Sequence, residues 1–196
     1  SAASDVYKRQ GFLGAGNMAE ALAKGLLSAG VPKDKMAASD PDPKRREVFS
    51  GLAERVFESN LQLVKETDFL VLAVKPQILP QVLSEIASSV PPHMPVLSIA
   101  AGIRVNLLRL FLPRAHIVRA MPNTPCLVGA GMSVLFAEES VPSEVRATAE
   151  SILAGCGKTA WVKEEELLDA VTALSGSGPA YFFLFCEPVS YTHLTL

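Results

Sequence analysis

The chain has 196 residues, 49% of them hydrophobic and 19% charged, with a formal net charge of −2. That is a globular composition, long enough for one good core and part of a second domain. It argues against a basic nucleic-acid stripe, a disordered acidic tail and, with aromatics at 7%, a base-stacking platform. The longest apolar run at a strand, FLVLAV, is far too short to cross a membrane. Cys126, Cys156 and Cys186 are widely spaced, with no C-x-x-C and no nearby histidine. They read as small buried thiols in a reducing compartment such as the cytoplasm, not as a disulfide framework or a zinc site. His116, within AHIVRA, reads as structural, and His93 as a loop residue.

In chain order, the first stretch is SAASDVYKRQ, polar and basic with no apolar alternation. One coding of residues 2–10 is GCA GCG TCA GAT GTG TAT AAG AGA CAG. Its reverse complement, read after skipping two bases, translates to VSYTHLTL, which is residues 189–196. One DNA element in opposite orientations can thus encode both ends, as a ligated sequencing adapter would. Residues 1–10 and 188–196 are therefore expected to be foreign, and are set aside from the fold.

GFLGAG then reads as the end of a first strand and a tight turn. NMAEALAKGLLSAG reads as a helix, with Met18, Leu22, Leu26 and Ala29 at helical spacing and Gly30 and Pro32 as the stop. KMAASD is a short strand, and DPDPKRREVFSGL a turn and a helix with a cationic exposed face. ERVFES is a third strand and NLQLVKET a short helix. DFLVLAVKP is almost continuously apolar, as a parallel strand covered on both faces should be. LPQVLSEIASSV, VNLLRLFL and SEVRATAESILAGCG read as helices. MPVLSIAAG, HIVRAMP, GAGMSVLFA and TAWV read as strands between and after them, with a turn at Pro122 and Pro125. This alternation predicts an α/β, Rossmann-type, doubly wound and mostly parallel sheet over 11–162. From 163 to 187 the pattern changes to KEEELLDAVTALSGSG and the apolar PAYFFLFCE, the start of an all-helical domain.

G-A-G-N-M-A, from Gly14 to Ala19, fits G-x-G-x-x-A. Gly14 permits the turn, Gly16 lets the backbone approach a pyrophosphate, and Ala19 lets the helix pack on the strand. The helix N-terminus then offers free N–H groups to the phosphates. The pattern closes a strand and opens a helix, the context that makes it credible. The acidic partner expected about twenty residues on is Asp40, which would accept hydrogen bonds from an adenosine ribose. Lys44, Arg45 and Arg46 follow at once and could instead hold a 2′-phosphate, or form a solvated helix face. G-C-G-K-T, from Gly155 to Thr159, only imitates a triphosphate loop: the required earlier glycine is Ile152, and a strand follows.

Three successive strand ends carry small or polar loops: AVKP at Ala73, Val74, Lys75 and Pro76; SIAAG around Ile99, Ala100 and Ala101; and RAMPNTP around Asn123. Ligands of open α/β sheets bind beyond such ends. Together with the glycine loop they predict a dinucleotide cleft.

FLGAGNMAEAL, AVKP, SIAAG, RAMPNTP and LSGSGPAYFF, in this order, resemble the pyrroline-5-carboxylate reductase family over nearly all of 11–187. The resemblance implies a Rossmann domain followed by a helical dimerisation domain, and reduction of 1-pyrroline-5-carboxylate to proline with NADPH or NADH. It implies that Leu13, Gly14, Ala15, Gly16, Asn17 and Met18 bind the pyrophosphate. Asn60, Ala73, Val74, Lys75, Pro76, Ile99, Ala100 and Ala101 would contact the cofactor, with Asn123 shaping the nicotinamide end. Asp40 stands near the adenosine ribose where the family often has serine or threonine, a departure that bears on the choice between NADPH and NADH. Ser175, Gly176, Ser177 and Gly178 would begin the substrate side. A homodimer or higher homo-oligomer is implied, with no nucleic acid or membrane as partner.

Hydride transfer to a protonated ring imine needs no protein nucleophile, only alignment and exclusion of water. That fits a sequence with no Ser–His–Asp set and no metal cluster; the catalytic residues remain unassigned. By the resemblance, most donors for the substrate carboxylate lie beyond 187. The 196-residue chain is expected to bind dinucleotide weakly or moderately without forming proline, and to expose Tyr181, Phe182, Phe183 and Phe185. The rivals are a 3-hydroxy acid dehydrogenase, disfavoured because EEELLDAVTAL holds no lysine, and a non-catalytic dinucleotide-binding module, disfavoured because no basic helix is present.

Overall fold

The computed structural model describes residues 8–194, with side chains through residue 187. The expectation of foreign sequence at 1–7 and 195–196 lies outside the described residues, and at 188–194 only the backbone is described. Eight strands form one sheet: β1 (Gln10–Leu13), β2 (Met36–Ser39), β3 (Arg55–Phe57), β4 (Phe69–Leu72), β5 (Pro95–Ser98), β6 (His116–Met121), β7 (Gly131–Ala137) and β8 (Gly157–Trp161). Their order is β3-β2-β1-β4-β5-β6-β7-β8, so the winding reverses between β1 and β4.

All neighbours are parallel except β6 and β7. Between those two there is only a Pro-bearing 3₁₀ turn, Thr124–Val128, closed by the left-handed Gly129. Without a crossover helix, the chain must return antiparallel. Helix α6 (Ser143–Ala154) then carries it back, and β8 runs parallel to β7. The mostly parallel, doubly wound Rossmann-type architecture expected from the sequence is the one observed.

The strands alternate their buried side chains between two cores. Phe12, Phe69 and Val71 face one side with Leu22 and Leu26 of α1 (Asn17–Ser28), Phe49 of α2 (Pro43–Ser50) and Ile152 of α6. Leu13, Leu70 and Leu72 face the other, with Leu63 of α3 (Asn60–Lys65), Leu83 of α4 (Leu79–Ile86) and Leu108 of α5 (Val105–Phe111). β4 is buried along its whole length, which is why it read as an unbroken apolar run. At the end of α1, Gly30 N–H donates to Leu27 and Val31 N–H to Leu26. Val31 is buried beside Leu26, the hydrophobic contact of this helix stop.

By its polar character Gln10 belongs with the stretch ahead of the strand, yet it is the first residue of β1, paired with Met36 and Phe69. Backbone hydrogen bonding recruits it regardless of side chain. Its Oε1 is buried without a hydrogen-bond partner, as is Nε of Arg9, so the polar character of the stretch shows as unsatisfied groups.

Helices α1 and α6 touch through two glycines. A Cβ on Gly25 would stand 2.7 Å from the Gly155 carbonyl carbon, so neither position has room for a side chain. Beside them Cys156 donates its thiol to the Ala21 carbonyl at 3.1 Å. Burial, then the neighbouring Cys126, push the Cys156 thiol up to about 11 from 9.0, against a smaller opposing hydrogen bond at Gly25. A thiol whose pKa is higher folded than unfolded favours the native state below the unfolded value. That contribution is lost as pH rises from about 9 to about 11. Cys156 is therefore expected to resist iodoacetamide at pH 8 in the native chain and to react freely in urea, read by peptide mass mapping. Equal labelling in both states would contradict the burial. The turn at Gly155 opens β8, not a helix, so the triphosphate-loop imitation is structural, as expected.

After β8 the chain is helical: α7 (Leu167–Val171), a π-helical turn at Thr172–Gly176, and α8 (Gly178–Leu194). Tyr181, Phe182, Phe183 and Phe185 are exposed on α8, between 61% and 71%. No helix among the described residues is long and apolar enough to cross a membrane.

Candidate dinucleotide site

The glycine loop joins β1 to α1 at the point where the sheet order reverses, the position at which open α/β sheets bind ligands. Gly14 sits at φ +96°, and a Cβ there would come within 2.9 Å of the Ala73 carbonyl oxygen. Both the turn and the close approach of the β4 loop require glycine. Gly16 differs: its φ is −74°, and nothing lies within 4 Å of a Cβ placed on it. It is the N-cap of α1 and has no capping side chain. The N–H groups of the first turn are thus left to be met from outside the helix, beside open space of the kind a pyrophosphate needs.

A cleft of about 480 Å³ opens over the carboxyl ends of β1, β4, β5 and β6. It gathers the predicted Gly16, Asn17 and Met18, then Ala73, Val74, Lys75 and Pro76, then Ile99, Ala100 and Ala101, and finally Asn123. The β5 loop brings only uncharged aliphatic side chains, Ile99, Ala100 and Ala101, to this lining. Asn123 is nearly buried, and its Oδ1 accepts the Met132 N–H at 2.9 Å. It therefore shapes the cleft by tying the turn after β6 to the start of β7. Gly176 of the π-helical turn also lines the cleft, and a Cβ there would meet the Met121 Cε at 2.5 Å. Ser175, Ser177 and Gly178 do not line it; the Ser175 hydroxyl is spent on the Val171 carbonyl at 3.2 Å.

A second cavity of about 370 Å³ continues past Gly14 toward β2. It is lined by Ser39 and Asn60, with Glu58 and Glu85 at its sides. Asn60 Oδ1 accepts the Ser39 hydroxyl at 2.8 Å, and its amide donates to Glu85 at 2.9 Å. Leu13 and Ala15 are buried and line neither cavity. The Ala15 N–H donates to Asp40 Oδ2 at 2.9 Å, so the predicted acid is bonded to the predicted loop.

Two arginines make contacts that had no signal in the sequence. Arg45 lines the main cleft and donates to Asn17 Oδ1 at 2.7 Å, joining α2 to the glycine loop. Arg119, the first residue of RAMPNTP, is 4% exposed and pairs with Glu165 at 2.5 Å. Glu165 also accepts the Val105 N–H at 2.7 Å, tying the segment after β8 to the start of α5. Among the described residues, no three His, Cys, Asp or Glu side chains are placed to hold a metal ion.

Comparison with known proteins agrees with this geometry. A family described as "NADP oxidoreductase coenzyme F420-dependent" matches residues 9–102, and "Pyrroline-5-carboxylate reductase dimerisation" matches residues 165–193. The pyrroline-5-carboxylate reductase of Haemophilus influenzae is 41% identical over 182 residues, covering 92% of this chain and 67% of that protein. The solved pyrroline-5-carboxylate reductase of Coxiella burnetii superposes with a TM-score of 0.86 at 34% identity, covering 97% of this chain and 72% of that one. The pyrroline carboxylate reductase of Plasmodium falciparum, solved with NADP bound, gives 0.82 at 33% identity, covering 96% and 70%. The chain spans about two thirds of the length of the relatives it matches, from the dinucleotide-binding sheet into the dimerisation helices. It belongs to the pyrroline-5-carboxylate reductase family.

Proposed function

We propose that this chain carries the dinucleotide-binding part of an enzyme that reduces 1-pyrroline-5-carboxylate to L-proline with NAD(P)H. The observation that carries the reading is the continuous cleft from an uncapped helix N-terminus at Gly16 to Gly176 of the π-helical turn. The loop from Gly14 to Met18 holds the pyrophosphate, and Ala73 to Pro76 flank it. Ile99, Ala100 and Ala101 form the floor beneath the nicotinamide. NAD(P)H supplies the hydride; the imine carbon takes it, and the ring nitrogen takes a proton, so C=N becomes CH–NH. The chain's own part is to align the two reactants and to exclude water around them. Ser175, Ser177 and Gly178 do not line the cleft, and with Gly176 they are proposed to begin the substrate side.

Residues 11–162 are proposed as the dinucleotide-binding domain and those from 163 as the start of the helical one. The exposed aromatic side chains of α8 lie within the match to the dimerisation family and support a homo-oligomer.

Residues 8–187 of this chain, continued by the matching C-terminal third of the Haemophilus influenzae relative, are expected to oxidise NAD(P)H only when 1-pyrroline-5-carboxylate is present. The absorbance at 340 nm and the proline formed both read the reaction. A chimera that folds and binds NAD(P)H but never consumes it with this substrate would favour the rival reading, a non-catalytic dinucleotide module.

A further inference from the structure

We propose that Asp40, with the acidic cavity beside it, makes this chain select NADH over NADPH. The inference rests on the dinucleotide reading of the cleft and names the cofactor that the site takes. From the sequence, Asp40 and the basic trio Lys44, Arg45 and Arg46 pulled in opposite directions. The structure separates them.

Asp40 directly follows β2, next to the glycine loop. Each of its carboxylate oxygens is held by a backbone donor: Oδ2 by Ala15 N–H and Oδ1 by Asp42 N–H, both at 2.9 Å. The negative charge is therefore fixed where the ribose attached to a loop-bound pyrophosphate must lie. A ribose diol has hydroxyls to donate to that carboxylate. A 2′-phosphate has none, and brings a charge of about −1.5 to −2 against it.

Two of the nearby cations are held by contacts within the protein. Arg45 donates to Asn17 Oδ1 at 2.7 Å. Arg46 donates to the carbonyl oxygens of Asp40 and Pro41 at 2.9 and 2.8 Å, and pairs with Glu58 at 3.4 Å. Lys44 stays on the exposed side of α2. Independently, the cavity on this side of Gly14 is lined by two carboxylates, Glu58 and Glu85, and by no lysine or arginine. A phosphate entering there would meet acceptors and like charge, whereas the neutral adenosine of NADH would not.

The test is a fluorescence titration of the 196-residue chain with NADH and with NADPH, in low salt and again at 0.5 M salt. NADH is expected to bind roughly tenfold tighter or more at low salt. Added salt should narrow the gap by screening the repulsion. Asp40→Ser should narrow or reverse the ratio through stronger NADPH binding. Should that variant unfold, Glu58→Gln and the salt series on the unaltered chain still read the same repulsion. NADPH binding as tightly as NADH, or a ratio unmoved by salt and by both variants, overturns the proposal. Binding of neither dinucleotide overturns the site reading itself, and the selectivity with it.

Discussion

Replacing Gly16 with valine is expected to weaken NAD(P)H binding by about a hundredfold or more while leaving the chain folded. A hundredfold corresponds to roughly 3 kcal/mol. The two halves of the prediction come from separate facts. The Gly16 backbone, at φ −74° and ψ 178°, is extended and open to any residue, and nothing lies within 4 Å of an added Cβ. The cost to folding is that of a poor N-cap, at most about 1 kcal/mol. The added methyls, however, would stand in the space through which a pyrophosphate reaches the first-turn N–H groups. Gly14 gives the contrast. There φ is +96° and an added Cβ would meet the Ala73 carbonyl oxygen at 2.9 Å, so substitution damages the fold as well. Circular dichroism and a fluorescence titration of Gly16→Val together check the claim. Unchanged affinity in a folded variant would remove the glycine loop from the site.

Arg119→Met is expected to cost about 3 kcal/mol of stability. For a chain of this size that lowers Tm by roughly 6–12 °C. Arg119 and Glu165 are 5% and 14% exposed in their side chains, so truncating the arginine leaves a largely buried carboxylate with, among the described residues, only the Val105 N–H as partner. Arg104 reaches the same segment, pairing with Asp169 at 3.0 Å and Glu166 at 3.6 Å. About half of its side chain is exposed, however, and solvent screens those pairs. Arg104→Ala should therefore cost less than about 1 kcal/mol. Arg119→Met combined with Glu165→Gln should recover much of the loss, because no unpaired charge remains. Equal small losses at Arg104 and Arg119 in a thermal melt would show that the buried pair does not hold this junction.

Much of the fold was legible because the signals were local. β4 could be read from one uninterrupted apolar run, α1 from apolar spacing and its glycine stop, and the glycine loop from its place between them. The cleft could be read because its walls are strand ends, and parallel α/β strands place all those ends on one side. What escaped was set by contacts distant in sequence. The antiparallel return of β7 depends on the absence of a helix after RAMPNTP, which a list of elements does not convert into direction. Arg119 and Glu165 lie 46 positions apart, and neither is distinctive until β6 and the segment after β8 are side by side. The side chain of Gln10 argues against a strand while its backbone completes one. Among the four LSGSG candidates, only Gly176 reaches the cleft, because the π-helical turn rotates Ser175 back toward Val171.

The most direct test is an amide NMR titration of the ¹⁵N-labelled chain with NADH. Shifts should concentrate at residues 14–18, 73–75 and 99–101, at the carboxyl ends of β1, β4 and β5. The opposite end of the sheet, around His93, Met94 and Arg114, should stay unmoved. Shifts confined to that opposite end, or none at saturating NADH in a folded chain, would contradict the assignment of the cleft.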